Sequence, residues 1–415
     1  MKKLLVFVIP LFLIMFFSCK KTGAGNDSTN ENNWGNADFS MYVSLGNSLT
    51  AGVANGALYE NMQKNSYPNL IAKQADIVDF EQPIMSGNGF SWKETEGRLS
   101  VAPDLSISFL SPGNEGNRGL SRPFNNLGVP LITAEQILTV TNSIEADSNH
   151  FVDKILRGSD RTLIEEALTL SPTFITLWVG NSDLLEAASL GLASAESPYT
   201  LTEDFSGFLT EIINQLTSGS DAPIFLGNVL DFTTLPYFTS LPSFVINPET
   251  GAKTYLTGEC ENGIRLLTDD DLVLYWALPN YVSFLENDLP IETSLNDTLI
   301  LDATEKNEIT DLIDEYNDAI RDAAATNDDV FLVDIYQLFV EISNSGYNFG
   351  DITYTIDLIS FNPDGSIQLN LTQTLFSFDG LHPREIGYTA IGNAFIEKIN
   401  SMLNAQIPLI TPSDL

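Results

Sequence analysis

Basic residues, histidine and cysteine are all scarce in this chain. Nineteen Lys and Arg stand against 55 Asp and Glu in 415 residues, a formal net charge of −36. A field of that sign opposes the approach of DNA, RNA and anionic membrane surfaces, and no basic stripe interrupts it, which argues against a nucleic-acid partner. The acids are mixed with Asn, Ser and Thr, as on a solvated surface, and do not gather in a tail. Two His and two Cys do not supply a zinc site of ordinary ligand type. Beyond Cys19 only Cys260 remains, so no intramolecular disulfide is available and the fold must stand on its core. "TDDD", Thr268 to Asp271, lacks the spaced Asp/Asn and Gly of a calcium loop and reads as a helix start. No metal and no cofactor are expected. The shortage of histidine also narrows the chemistry: a histidine-dependent hydrolase has only His150 and His382 to use.

The one long apolar run, Leu4 to Phe17, would cover roughly two-thirds of the hydrocarbon thickness as a helix, and it contains Pro10. Lys2 and Lys3 precede it. "FFSC", Phe16 to Cys19, closes it, and a run rich in Gly, Asn and Ser follows up to Asn33. This segment resembles a bacterial lipoprotein signal, although Phe16 stands where leucine is usual. The resemblance implies a signal peptide over residues 1–19, lipidation of Cys19 and a flexible tether over 20–38. It also implies a partner, the membrane, reached through the N-terminal lipid in the bacterial cell envelope. No acidic residue directly follows Cys19 to mark inner-membrane retention, so the outer membrane is the expected location.

What the rest of the chain has is alternation. Met41–Leu45, Phe124–Pro130, Thr173–Gly180, Ala222–Val229 and Val330–Asp334 read as strands, several of them β-branched or aromatic runs of the buried parallel kind. Helical periodicity runs from Ser66, over Ala134–Val140, Asp153–Leu170, Glu203–Leu216 and Asp302–Ala325, and from Pro383 to Leu403. Strands alternating with helices predict an α/β fold: a mostly parallel five-stranded sheet with helices on both faces, in one domain over 39–415. Three insertions interrupt it, at about 76–122, 232–301 and 345–376. In the last, Ile352–Leu371 reads as a hairpin about "NPDG", Asn362 to Gly365.

"YVSLGNSLTAG", Tyr42 to Gly52, ends a strand in Gly-Asn-Ser. Ser48 reads two ways, as a helix cap or as a nucleophile. "FDGLHPREIG", Phe378 to Gly387, places Asp379 three residues before His382 on a tight turn. Pro383 there suits the first turn of a helix, with His382 as its cap. An Asp on such a turn can accept the Nδ1 proton of the imidazole and leave Nε2 free as a base. His150, in "DSNHF", has no such partner and reads as a surface residue. Ser48 follows the first strand and His382 precedes the last helix, so both fall where open parallel sheets build sites.

Four separated blocks, in order, resemble the SGNH or GDSL-type serine esterases and lipases. They are "GNSLT" (Gly46–Thr50), "NNLGVPLIT" (Asn125–Thr133), "LWVGNSDLL" (Leu177–Leu185) and "DGLHP" (Asp379–Pro383). The resemblance implies a three-layer, flavodoxin-like α/β/α fold and a Ser48–His382–Asp379 triad. It implies hydrolysis of a small or polymer-attached ester through an acyl-enzyme intermediate, without a cofactor. Two positions depart from the family pattern. Leu131 stands where a glycine N–H usually meets the oxyanion, and Leu disfavours positive φ. Ser182 stands where an asparagine amide usually donates, with Asn181 beside it as a substitute. The oxyanion donors are then the N–H groups of Ser48 and Leu131 with the Ser182 hydroxyl or the Asn181 amide. The same departures leave an alternative: a catalytically weak or inactive lipoprotein of this fold that binds glycan or lipid. A two-carboxylate glycosidase has no specific support, because with 55 acidic residues some close pair always exists.

Overall fold

The computed structural model describes residues 33–102, 105–191, 199–246, 250–286, 290, 292–362 and 366–415. The signal segment, Cys19 and most of the tether lie outside the described residues. No helix among the described residues is long and apolar enough to cross a membrane.

Five strands form the central sheet: β1 (Tyr42–Gly46), β2 (Asn126–Gly128), β3 (Phe174–Trp178), β4 (Ile224–Gly227) and β5 (Val330–Val333). Their order is β5-β4-β3-β1-β2 and every pairing is parallel. Strands β1, β3 and β4 are buried throughout, which is why they read as continuous apolar runs without alternation. The polar residues in that interior bond to one another: Thr176 Oγ1 lies 2.9 Å from both the Tyr42 hydroxyl and Ser44 Oγ.

Ten helices concern the layers and the site: α1 (Ser48–Ala51), α2 (Tyr67–Gln74), α3 (Ala134–Thr139), α4 (His150–Leu156), α5 (Leu163–Thr169), α6 (Asn181–Ser189), α7 (Thr202–Gly219), α8 (Ala303–Thr326), α9 (Ile335–Ser345) and α10 (Glu385–Leu403). Helices α2, α9 and α10 make one layer, with Tyr67 stacked on Phe395 at 4.6 Å between α2 and α10. Helices α3, α5, α6, α7 and α8 make the other, with Phe205 stacked on Tyr316 at 3.9 Å between α7 and α8. The expected α/β/α architecture is therefore present.

Several local expectations need correction. Asp153–Leu170 is not one helix; Arg157 (φ +56°) and Gly158 (φ +82°) end α4 in left-handed conformations, and a turn precedes α5. The hairpin begins later than Ile352: Ile359–Phe361 pairs with Ile367–Leu369, while Ile352–Tyr354 folds back on Tyr347–Phe349. Its 363–365 tip lies outside the described residues. Thr268–Asp271 starts no helix. Asp271 instead makes a bidentate pair with Arg265 (2.7 and 2.8 Å) and accepts the Ala303 N–H at the start of α8. Helix α10 begins at Glu385 with Arg384 as its cap, so neither His382 nor Pro383 is its terminus. Residues 33–38, expected in the tether, pack on the domain. Asn36 N–H donates to the Leu403 carbonyl at 2.7 Å, and Trp34 meets Phe39 edge-on.

Candidate active site

The cap reading of Ser48 is excluded locally by its neighbour. Asn47 has extended backbone angles, and its side chain accepts the Leu49 N–H at 3.0 Å. Asn47 is thus the cap, and Ser48 becomes the first residue of α1 with its hydroxyl left over. Ser48 Oγ lies 3.0 Å from His382 Nε2, and His382 Nδ1 lies 2.9 Å from Asp379 Oδ2. With Nδ1–H donating to the carboxylate, Nε2 is the lone-pair nitrogen facing the serine hydroxyl.

The Asp379 carboxylate is held by five donors. Oδ1 accepts from Ser377 Oγ and from the N–H groups of Leu381 and His382 at 2.8–3.0 Å. Oδ2 accepts from Gly56 N–H at 2.6 Å and from His382 Nδ1. Burial pushes this carboxyl up, but the imidazole of His382 and the N–H donors of His382 and Gly56 outweigh it, and its pKa lies below the ordinary value.

Gly56 was not singled out from the sequence, although the signal existed. Asn55-Gly56 joins the two-residue strands Val53–Ala54 and Ala57–Leu58. Both turn residues have positive φ (+50° and +63°), as a type I′ hairpin requires and Asn-Gly supplies. This hairpin clasps the Asp379 loop at three points. Gly56 N–H binds the carboxylate, Asn55 N–H donates to Ser377 Oγ at 2.7 Å, and Asn55 Oδ1 accepts the Phe378 N–H at 3.0 Å.

The three strands at the end of the sheet place the remaining candidates. In the order β3-β1-β2, Ser48 follows the middle strand, while Ser182 and Leu131 follow its two neighbours. Leu131 does adopt the left-handed conformation that its side chain disfavours, at φ +65°. The loop imposes this backbone, with the side chain 47% exposed. Neither the Ser48 nor the Leu131 N–H has an acceptor among the described residues. Ser182 lines the same cavity as Ser48, whereas Asn181 does not. Asn181 is buried at the start of α6, and both polar atoms of its side chain lack a partner among the described residues.

Asp183, the third residue of α6, ties the start of α3 to Thr200. Both its oxygens accept the Ala134 N–H at the start of α3 (3.1 and 3.2 Å), and Oδ1 also accepts the Thr200 hydroxyl. Burial outweighs these donors and raises its pKa from 3.8 to about 6. A raised carboxyl pKa means that the folded state holds the proton more tightly than the unfolded chain. This contribution to stability is therefore lost as pH rises from about 4 to about 6, by about 3 kcal/mol. Asp183→Asn should remove that slope. The stability of the variant minus that of the natural protein, from urea melts at pH 4 to 8, should rise with pH. A difference independent of pH would overturn the assignment.

His150 is corrected from surface residue to structural pin. It is half-buried, and its Nε2 lies 2.8 Å from the Ser91 carbonyl in the first insertion.

The model of the GDSL-like lipase/acylhydrolase family matches residues 42–395, which span every element just described. A comparison with curated proteins gives no match. Among solved structures, the chain is similar to an alpha/beta hydrolase from the metagenome of Lake Arreo, Spain (13% identity, 88% of this chain and 97% of that one covered, TM-score 0.38). It is also similar to Axe2, an acetylxylan esterase from Geobacillus stearothermophilus (9% identity, 88% and 95% covered, TM-score 0.36). The chain belongs to the GDSL-like lipase/acylhydrolase family, and it is a carboxylic ester hydrolase.

Proposed function

We propose that the protein hydrolyses its ester through a Ser48–His382–Asp379 triad and an acyl-enzyme intermediate, while tethered to the membrane by a lipid on Cys19. The observation that carries the first part is the unbroken chain from Ser48 Oγ through His382 to Asp379, at 3.0 and 2.9 Å. His382 Nε2 takes the Ser48 proton as Oγ bonds to the acyl carbon. The carbonyl oxygen becomes an oxyanion, which the N–H groups of Ser48 and Leu131 and the Ser182 hydroxyl face. The imidazolium returns the proton to the leaving alcohol. Water then attacks the acyl-serine with the same base, and the acid leaves. Asp379 stays ionised and fixes the imidazole tautomer.

An organophosphonate that modifies nucleophilic serines tests this reading. One equivalent should attach to Ser48, read by peptide mass spectrometry, and abolish turnover of p-nitrophenyl acetate. A protein with neither label nor turnover would instead fit the surface-binding alternative.

The tether rests on the charged start, the short apolar run and Cys19 ahead of a polar segment. Cys19→Ser should leave the precursor unprocessed or release the protein from the membrane fraction. A variant of mature size that still sediments with membranes would sink this part alone.

A further inference from the structure

Two insertions bring aromatic residues to the same rim. Trp92 comes from the first and Trp276 from the second. Trp92 meets Phe109 edge-on at 4.8 Å and Trp276 at 6.2 Å, and Phe109 lies 6.4 Å from Trp276. Trp92 and Trp276 both line the cavity that holds Ser48, whose volume is about 360 Å³. Trp92 is nonetheless 42% exposed, an uncovered apolar surface at the mouth of a reactive site.

The rim is held in place by α4. His150 Nε2 bonds the Ser91 carbonyl at 2.8 Å, and Lys154 Nζ pairs with Glu94 at 2.6 Å, so the chain is pinned on both sides of Trp92. Lys154 also sits 4.3 Å over the Phe90 ring. Below, the Trp92 ring packs against Gly56, where a Cβ would lie 3.2 Å from it. A ring held from three directions is a fixed wall.

The lining decides what the wall is for. Val53, Phe151, Leu185 and Leu381 supply the interior, Leu190 is exposed like Trp92, and outside the triad the only charged lining residue described is Glu186, at an exposed position. Among the described residues no Lys or Arg lines the cavity to meet an anion. Sugar rings need polar partners in the plane of their hydroxyls as well as an aromatic face, and this lining offers few beyond the machinery itself. We infer that the cavity takes an uncharged apolar chain of the ester, with Trp92 and Trp276 as the residues that set its length. A cavity of 360 Å³ has room for roughly a dozen water-sized groups, which an ester group with a chain of about eight carbons fills.

This inference rests on the proposed triad, and the test separates the two. With p-nitrophenol as the fixed alcohol, kcat/KM should climb from acetyl to octanoyl by up to about fourfold for each buried methylene. A second series, acetates of alcohols of rising length, locates the chain. A climb in the first series places it on the acyl side and a climb in the second on the alcohol side; either supports the cavity reading. In whichever series climbs, Trp92→Ala and Trp276→Ala should each cut the ratio of the longest to the shortest chain by at least tenfold, and Trp92→Phe should recover most of it. Alkylboronic acids from methyl to octyl should inhibit the unmutated protein, with the same chain-length trend if the acyl series climbs and without one if only the alcohol series does, a readout independent of whether a variant folds. Hydrolysis of acetyl esters with a flat or falling trend in both series would overturn the inference and leave the triad standing. Absence of any turnover or boronate inhibition would overturn both.

Discussion

Ser48→Ala should lower kcat on any ester the protein hydrolyses by a factor on the order of a million, with KM little changed. The size of the effect follows from the proposed triad acting as a unit. Once the hydroxyl is gone, His382 Nε2 has no nucleophile to deprotonate, and only binding and oxyanion donors remain. The fold should tolerate the change, because Ser48 is first in α1 and the capping bond belongs to Asn47. An unchanged melting temperature beside lost turnover is therefore the expected pair of results. Ser182→Ala provides the contrast. If its hydroxyl donates to the oxyanion, kcat should fall about 100- to 1000-fold while KM barely moves, since that bond strengthens only as charge develops. Ser182→Asn would put the longer amide in its place and keep activity where the cavity has room. Unchanged turnover in Ser182→Ala, with Ser48→Ala dead, would point to the backbone donors or to Asn181.

The second large effect is expected at Asp379, where chemistry and stability separate by the choice of substitution. Asp379→Asn keeps the shape but replaces one acceptor by an NH2 group. The side with fewer donors is Oδ2, facing Gly56 N–H and His382 Nδ1. An amide there sets donor against donor, so the imidazole is pushed to the tautomer with the proton on Nε2, the wrong one for accepting from Ser48. A loss of about 10,000-fold in kcat follows. Asp379→Ala should also cost stability, about 3–5 kcal/mol, because the imidazole and the hairpin N–H of Gly56 lose a buried partner together. The pH dependence has a definite sign. The folded state holds the Asp379 carboxyl below its ordinary value, so its contribution is fully present above about pH 4 and is lost as pH falls through the lowered value. Equal activity in Asp379→Asn and the natural protein would end the assignment of Asp379 as the group that orients His382.

Much of this site was legible because its parts are local. Asp379 and His382 sit three residues apart on one turn, and Ser48 follows, with one residue between, a strand whose burial made it a continuous apolar run. The alternation of buried strands with amphipathic helices likewise specified a parallel sheet, since the period of the pattern reports burial directly. Where the sequence reading slipped, the deciding residues were turn formers. Arg157 and Gly158 split a helical pattern that apolar spacing alone made continuous. Asn55-Gly56 carried a recognisable hairpin signal, but nothing in the sequence said that its N–H would meet a carboxylate more than three hundred positions away.

By itself, then, the sequence determined the sheet, its helical layers and the residues proposed to react, because these depend on periodicity and on residue types within a few positions. Tertiary structure decided the rest. It set Ser48 between Leu131 and Ser182 by ordering the strands β3-β1-β2. It forced Leu131 to φ +65° against its own preference, since a loop anchored at both ends can impose a backbone that a side chain disfavours. It also brought Trp92 and Trp276 together over the cavity from two insertions about 180 positions apart. Contacts of that separation depend on how whole elements pack, and no local pattern of apolar and polar residues encodes them.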